Sequence, residues 1–278
     1  MTSSKAATET AISVADLAHL DEVGTDVFRA PPLATELTRT FGGQVAAQAV
    51  AAAMRTAPDR RINSLHAYFL RGGKPDQPVR VTVDRVRDGR SFTTRSVTCW
   101  QDDVEIFTMI ASFHVGDDGF SHQQVAPNVV SPERISPAGD TELPRKLRAE
   151  WALWDQRLVP ADDESFPRRR RMWIRYRGEI DDDPTTHLVG LTFISDMGMV
   201  TAAHIQHPDQ QSTTQNASLD HAVWFHRPAR VDEWLLFDQT SPSAESGRAF
   251  TTASVFDTSG ILVASITQEA MVRRLRTN

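Results

Sequence analysis

Cys99 is the only cysteine in 278 residues. A lone thiol excludes an intrachain disulfide and any cysteine-built zinc cluster, and it fits a reducing compartment such as the cytoplasm. Long hydrophobic runs are also missing. No stretch approaches the roughly 20 apolar residues that a bilayer-spanning helix requires. The polar opening Met1-Thr2-Ser3-Ser4-Lys5 lacks the apolar centre of a signal peptide, so neither a membrane span nor secretion is expected. There is no basic surplus: Lys+Arg number 30 against Asp+Glu 36, a formal net charge of -6, which argues against nucleic acid as a partner. Three signatures are absent as well, Gly-x-Ser-x-Gly, Gly-x-x-x-x-Gly-Lys and His-Glu-x-x-His. Without them, covalent serine chemistry, phosphate-loop chemistry and metal-assisted hydrolysis lose their usual markers, and no metal or cofactor is expected.

What is present is a repeat. Gly89-Arg90-Ser91-Phe92-Thr93-Thr94-Arg95-Ser96-Val97 returns as Gly247-Arg248-Ala249-Phe250-Thr251-Thr252-Ala253-Ser254-Val255, and the correspondence runs ungapped from Phe92–Phe113 to Phe250–Met271. Upstream, Leu65-His66-Ala67 aligns roughly with Asp220-His221-Ala222. The separation exceeds the short periods of solenoids and propellers and implies a duplicated domain. A polar residue in one copy that faces an apolar one in the other is then a candidate for chemistry.

The pattern within each copy is one buried helix followed by antiparallel strands. After Phe41-Gly42-Gly43-Gln44, the run Val45 to Met54 is almost apolar all round with small side chains, which predicts a closely packed, encircled helix ending before Pro58. Strands are expected at 64–70, 79–87, 91–100 and 104–115. From Gly116 to Pro167 scattered prolines mark a connector, with Glu150-Trp151-Ala152-Leu153-Trp154 read as a short docked helix or an exposed partner-binding turn. A second set follows: strand 171–177, helix 185–200, then strands 218–225, 234–240, 248–258 and 262–272. The fold expected is α+β, a long helix wrapped by a curled antiparallel sheet, doubled. It divides into a first unit at 14–116, a connector at 117–167 and a second unit at 168–275, with the first dozen residues frayed.

Two polar residues sit where a plain core would be apolar. Side chains alternate along a strand, so Ala264, Ile266, Gln268, Ala270 and Val272 share one face and Gln268 interrupts it. The ungapped repeat places Ile110 opposite, so the shared fold does not demand an amide there. An unpartnered buried amide costs about 1–3 kcal/mol per group, so Gln268 reads either as a core glutamine bonded to backbone or as a functional group. Asp196 shares a helical face with Val189, Phe193 and Val200. Burial would raise its pKa toward useful base strength; the plain alternative is a turn cap, favoured by Gly198. Ser218, at a strand start, is weaker evidence. His66 and His221 fall at nearly matching points and read as structural. Arg168-Arg169-Arg170-Arg171 reads as a solvated face or as a phosphate grip.

Several motifs in order carry a resemblance: Phe41-Gly42-Gly43-Gln44-Val45, His66-Ala67-Tyr68-Phe69-Leu70-Arg71, Arg87-Asp88-Gly89-Arg90-Ser91-Phe92, Ala111-Ser112-Phe113, Leu219 through Pro228, and Gln268-Glu269. Together they resemble the type II acyl-CoA thioesterases, the TesB-like double hotdog family, over both halves of the chain. The resemblance implies an Asp, a Ser or Thr and a Gln that bind and activate a hydrolytic water. These match Asp196 in Ser195-Asp196, Ser218 two residues before Asp220-His221, and Gln268. It also implies acyl-CoA as substrate and a homo-oligomer. Asn63 and Gly72 depart from the family pattern, which carries His and Pro there.

The implied mechanism has Asp196 as general base toward water held by Ser218 and Gln268, with no acyl-enzyme. Oxyanion donors would be the Gln268 amide or backbone N–H groups near Gly42 and Gly43. The acyl chain would run between helix and sheet, with the nucleotide end near the surface. Two rivals remain: a hotdog enoyl-CoA hydratase using Asp182 and His187, five residues apart but equally a helix-capping segment, and a non-catalytic acyl-CoA binding module.

Overall fold

The computed structural model describes residues 11–137, 145–161 and 168–275. The opening ten residues, most of the stretch expected to fray, lie outside it. So do parts of the predicted connector. Chain order gives α1 (Val14–Ala18), β1 (Asp21–Gly24), β2 (Val27–Ala30), α2 (Gly42–Arg55), β3 (Arg61–Phe69), β4 (Val79–Asp88), β5 (Phe92–Gln101) and β6 (Val104–His114). There follow α3 (Arg145–Glu150), β7 (Trp154–Leu158), β8 (Arg169–Tyr176), α4 (Pro184–Ser195), α5 (Met199–His204) and β9 (Thr214–Ser218). The chain closes with β10 (Asp220–Phe225), β11 (Leu235–Glu245), β12 (Arg248–Phe256) and β13 (Leu262–Arg274).

The strands form a single antiparallel sheet in the order β1-β2-β4-β5-β6-β3-β10-β13-β12-β11-β8-β7, with β9 also paired to β13. Its two halves join along β3 and β10, where Ala67 pairs with His221 and Leu65 with Val223. Every residue of α2 from Gly43 to Met54 is buried. The small side chains predicted there let α2 approach α4 and the strands closely, and one continuous core runs through both halves.

Four short strands escaped the sequence reading: β1, β2, β7 and β9. β7 falls inside the predicted connector, where it pairs with β8 as an edge strand, so Trp154 belongs to the sheet and the short helix stops at Glu150. The helix expected at 185–200 is two helices. It ends at Ser195 and α5 begins after Gly198, whose φ of 74° is a left-handed conformation that breaks helical continuity. Asp196 therefore sits at a helix end, and Val200 belongs to the next helix.

The repeat is less regular than its sequence suggests. Ile110 is 56% exposed, on the outer face, whereas Gln268 is fully buried on the inner one. Ile110 pairs with His66, and His66 with Ala222, all outward. The inner row runs Val97, Met109, Ala67, His221, Gln268, Thr251 across six strands. The counterpart of Gln268 is Phe113, which pairs with Thr93 as Gln268 pairs with Thr251, the repeat mate of Thr93. The ungapped alignment had slipped the last strand by an odd number of residues, which reverses the face.

Candidate active site

Asp196 ends α4, and α2 begins beside it. No side chain caps α2, because its N-cap residue is Phe41. The Gly43 N–H instead donates to Asp196 Oδ2 at 3.1 Å, so the carboxylate occupies the positive end of the helix. The two glycines are required by closeness. A Cβ on Gly42 would lie 2.7 Å from Asp196 Oδ2, and one on Gly43 2.2 Å from the Phe193 carbonyl oxygen. Gly43 therefore holds the carboxylate, a different duty from the oxyanion donation its position first suggested.

Ser218 and Gln268 reach the same carboxylate. The Ser218 hydroxyl donates to Asp196 Oδ1 at 3.3 Å, and Gln268 Nε2 donates to Ser218 Oγ at 3.0 Å. All three predicted residues converge, although they come from a helix end and two strands. Burial raises the Asp196 carboxyl to about 7, against the lowering effect of its Gln268, Ser218 and Gly43 donors. It is thus poised to take a proton near neutrality.

Behind Gln268 lies His221, 1% exposed, whose Nδ1 is 2.7 Å from Gln268 Oε1. Its Nε2 is 2.7 Å from Ser195 Oγ, itself 2.7 Å from the Thr192 carbonyl oxygen. Burial lowers His221 to about 4, so the ring is neutral at physiological pH. The sequence alone matches His221 with His66 and reads both as structural. His66 is exposed on the opposite face, so the match was one of sequence only. Gln268 bonds through its side chain to other side chains, and the reading of a backbone-bonded core amide does not hold.

Other candidates are engaged elsewhere. Asp183 caps α4 by accepting from the Thr185 N–H at 2.9 Å, with Pro184 in the first turn. Asp182 is ion-paired with Arg230 at 2.6 Å, and His187 Nδ1 accepts from the Val231 N–H, so the two do not form a dyad. The arginine run alternates between faces. Arg169 and Arg171 grip buried Asp238, while Arg170 reaches Gln239, so the run is built into the sheet. Asn63 sits at a register shift in β3 beside Ser64, and the flank of Gly72 is filled by the Arg39 side chain. Among the described residues no cluster of three or more His, Cys, Asp or Glu is placed to hold a metal, and no helix is long and apolar enough to cross a membrane.

A helix encircled by antiparallel strands, with a carboxylate held against a helix start, is the arrangement that the resemblance to hotdog thioesterases implies. Comparison with known proteins narrows this. Residues 31–114 match the acyl-CoA thioesterase N-terminal domain and residues 131–272 the acyl-CoA thioesterase C-terminal domain. Acyl-CoA thioesterase 2 of Haemophilus influenzae is 32% identical over 275 residues, covering 92% of this chain and 96% of its own. Human acyl-coenzyme A thioesterase 8 is 32% identical over 285 residues, covering 94% and 89%. The structure of the acyl-CoA thioesterase II TesB2 from Mycobacterium marinum superposes with a TM-score of 0.84 at 38% identity, covering 95% of this chain and 99% of that one. The chain belongs to the acyl-CoA thioesterase family, hydrolases of thioester bonds.

Proposed function

We propose that this chain hydrolyses acyl-CoA to free fatty acid and CoA by direct attack of water, with Asp196, Ser218 and Gln268 as the catalytic residues. The observation that carries the reading is the convergence on one buried carboxylate of three donors' worth of hydrogen bonding: Gly43 N–H, the Ser218 hydroxyl and, behind it, the Gln268 amide. A carboxylate raised toward neutrality and wedged at a helix start is suited to take a proton from water. The water oxygen bonds to the thioester carbonyl carbon while its proton passes to Asp196. The tetrahedral intermediate then expels the CoA sulfur as the C–S bond breaks, and Asp196 returns the proton to the thiolate. General-base help of this kind contributes about 10²–10⁴ in rate.

The Gln268 amide is the better candidate oxyanion donor, since the Gly43 N–H is already given to Asp196. The two halves of the sheet read as tandem hotdog units, 14–116 and 168–275, with β7 in the intervening segment added to the second. The chemistry needs only acyl-CoA and water, so no cofactor or metal is invoked. A homo-oligomer and a cytoplasmic setting complete the proposal. The test is thiol release from acyl-CoAs of graded chain length by the wild type and by folded D196N and Q268A. Release by the wild type that collapses in both variants supports the site, and full activity in both refutes it.

A further inference from the structure

We propose that His221 is a positioning residue: as a neutral Nδ1–H tautomer it donates to Gln268 Oε1 and so locks the amide with its NH2 group toward Ser218 and Asp196. This deepens the catalytic reading above and rests on it for its functional consequence, though not for its geometry.

A proton count along one chain of contacts fixes the tautomer. Gln268 has one acceptor end and one donor end. Its oxygen lies 2.7 Å from His221 Nδ1 and its nitrogen 3.0 Å from Ser218 Oγ. An oxygen so close to Nδ1 requires a hydrogen on Nδ1. A neutral imidazole then has a bare Nε2, which needs a donor, and Ser195 Oγ stands 2.7 Å away. The hydrogens then run one way: Ser195 O–H to His221, turned from the Thr192 carbonyl 2.7 Å away, His221 N–H to Gln268, Gln268 N–H to Ser218, and Ser218 O–H to Asp196 Oδ1.

The opposite polarity is also self-consistent up to its last link. Ser195 would give its hydrogen to the Thr192 carbonyl, and His221 Nε2–H would point to Ser195. Gln268 would have to turn over, presenting its carbonyl to Ser218. The Ser218 hydrogen would then point away from Asp196, and the ionised carboxylate would keep only the Gly43 N–H. A buried carboxylate stripped of donors is strongly disfavoured, so the first polarity is the one compatible with a working base. Because an amide cannot relay by shifting a proton, the orientation of Gln268 must be fixed from outside. His221, against the amide oxygen, is what fixes it. In the other half of the sheet the matching inner pair is Phe113 and Ile62, beside Thr93 as Gln268 and His221 are beside Thr251, and no such lock is built.

The experiment reads the tautomer directly. Two-bond 1H–15N correlation spectra of the full chain, labelled with 15N-histidine, assign His221 by its absence from the H221N variant. The proposal predicts a neutral Nδ1–H ring near pH 7; the Nε2–H tautomer would overturn it. Kinetics gives the consequence. H221F keeps ring volume and loses the donor, and should lower kcat about 10- to 100-fold with KM within about twofold, the scale of leaving one buried amide oxygen unpaired. H221N returns an N–H at the Nδ1 position and should restore most of kcat. Wild-type kcat in folded H221F would overturn the positioning role. The spectra need no substrate, so a failure to hydrolyse acyl-CoA would count against the catalytic reading and leave the tautomer result standing.

Discussion

Ala67 and His221 face each other across the strand pair that joins the two halves of the sheet. On the Ala67 side the next inner residue is Met109, and on the His221 side it is Gln268. One row of side chains thus passes from apolar to polar at the junction, and the hydrogen-bonded chain that ends on Asp196 lies wholly on the second side. Only the backbone of Gly43 crosses from the first.

The hydroxyl of Ser218 is expected to matter more than its size. S218A should lower kcat by about 10- to 100-fold, the scale of losing one hydrogen bond to a charged group of 1.5–3 kcal/mol. S218T keeps the hydroxyl and should stay within about threefold of the wild type. Steady-state thiol release distinguishes them, and equal losses in both would point to packing.

The glycines at the start of α2 should not tolerate a methyl group. In G43A the new Cβ would meet the backbone carbonyl oxygen of Phe193, which cannot swing away, and thermal unfolding should show a loss of at least about 2 kcal/mol. G42A would press on Asp196 Oδ2 and Phe69 instead, so activity should fall more steeply than stability.

The raised Asp196 carboxyl makes two linked predictions. kcat/KM should rise with pH through about 7 and then level, as the base ionises. Because the folded pKa exceeds the unfolded one, the folded state binds more protons between about pH 4 and about pH 7. Stability from this group is therefore full below the lower value and is lost as pH rises through the upper one. D196N, which carries no charge, should melt higher than the wild type at pH 8 by up to a few kcal/mol. That advantage should shrink as pH falls toward 4.

Arg95 offers a control outside the site. It is 1% exposed and donates to the Thr56 hydroxyl and carbonyl at the end of α2 and to Asp88. R95M should cost about 3 kcal/mol in chemical denaturation, because the helix end and the carbonyls it serves lose their donor. kcat should be unchanged.

Much of this was legible in the sequence because period and composition report burial. Alanines at 46, 47, 49 and 51–53 announced the encircled helix, and an amide inside the stripe from Ala264 to Ala270 announced Gln268. The spacing places Asp196 on the face of a helix through Val200, but the helix breaks at Gly198, and what buries Asp196 is the start of α2 from far away in the chain. His221 was missed because a sequence repeat carries no information about which face a strand turns inward. A single bulge or a longer hairpin changes the register and exchanges the faces. The short strands β1, β2, β7 and β9 run only four or five residues, too few for alternation to show.

In the proposed mechanism Asp196 activates water and is not itself the nucleophile. One turnover with enzyme in excess over acyl-CoA in 18O-labelled water tests it, followed by mass spectrometry of both the fatty acid and the peptide containing Asp196. Direct attack by water predicts one 18O in the fatty acid and none in the peptide. Label in the Asp196 carboxylate would mean that an acyl-aspartyl anhydride had formed and been hydrolysed, and would contradict the account.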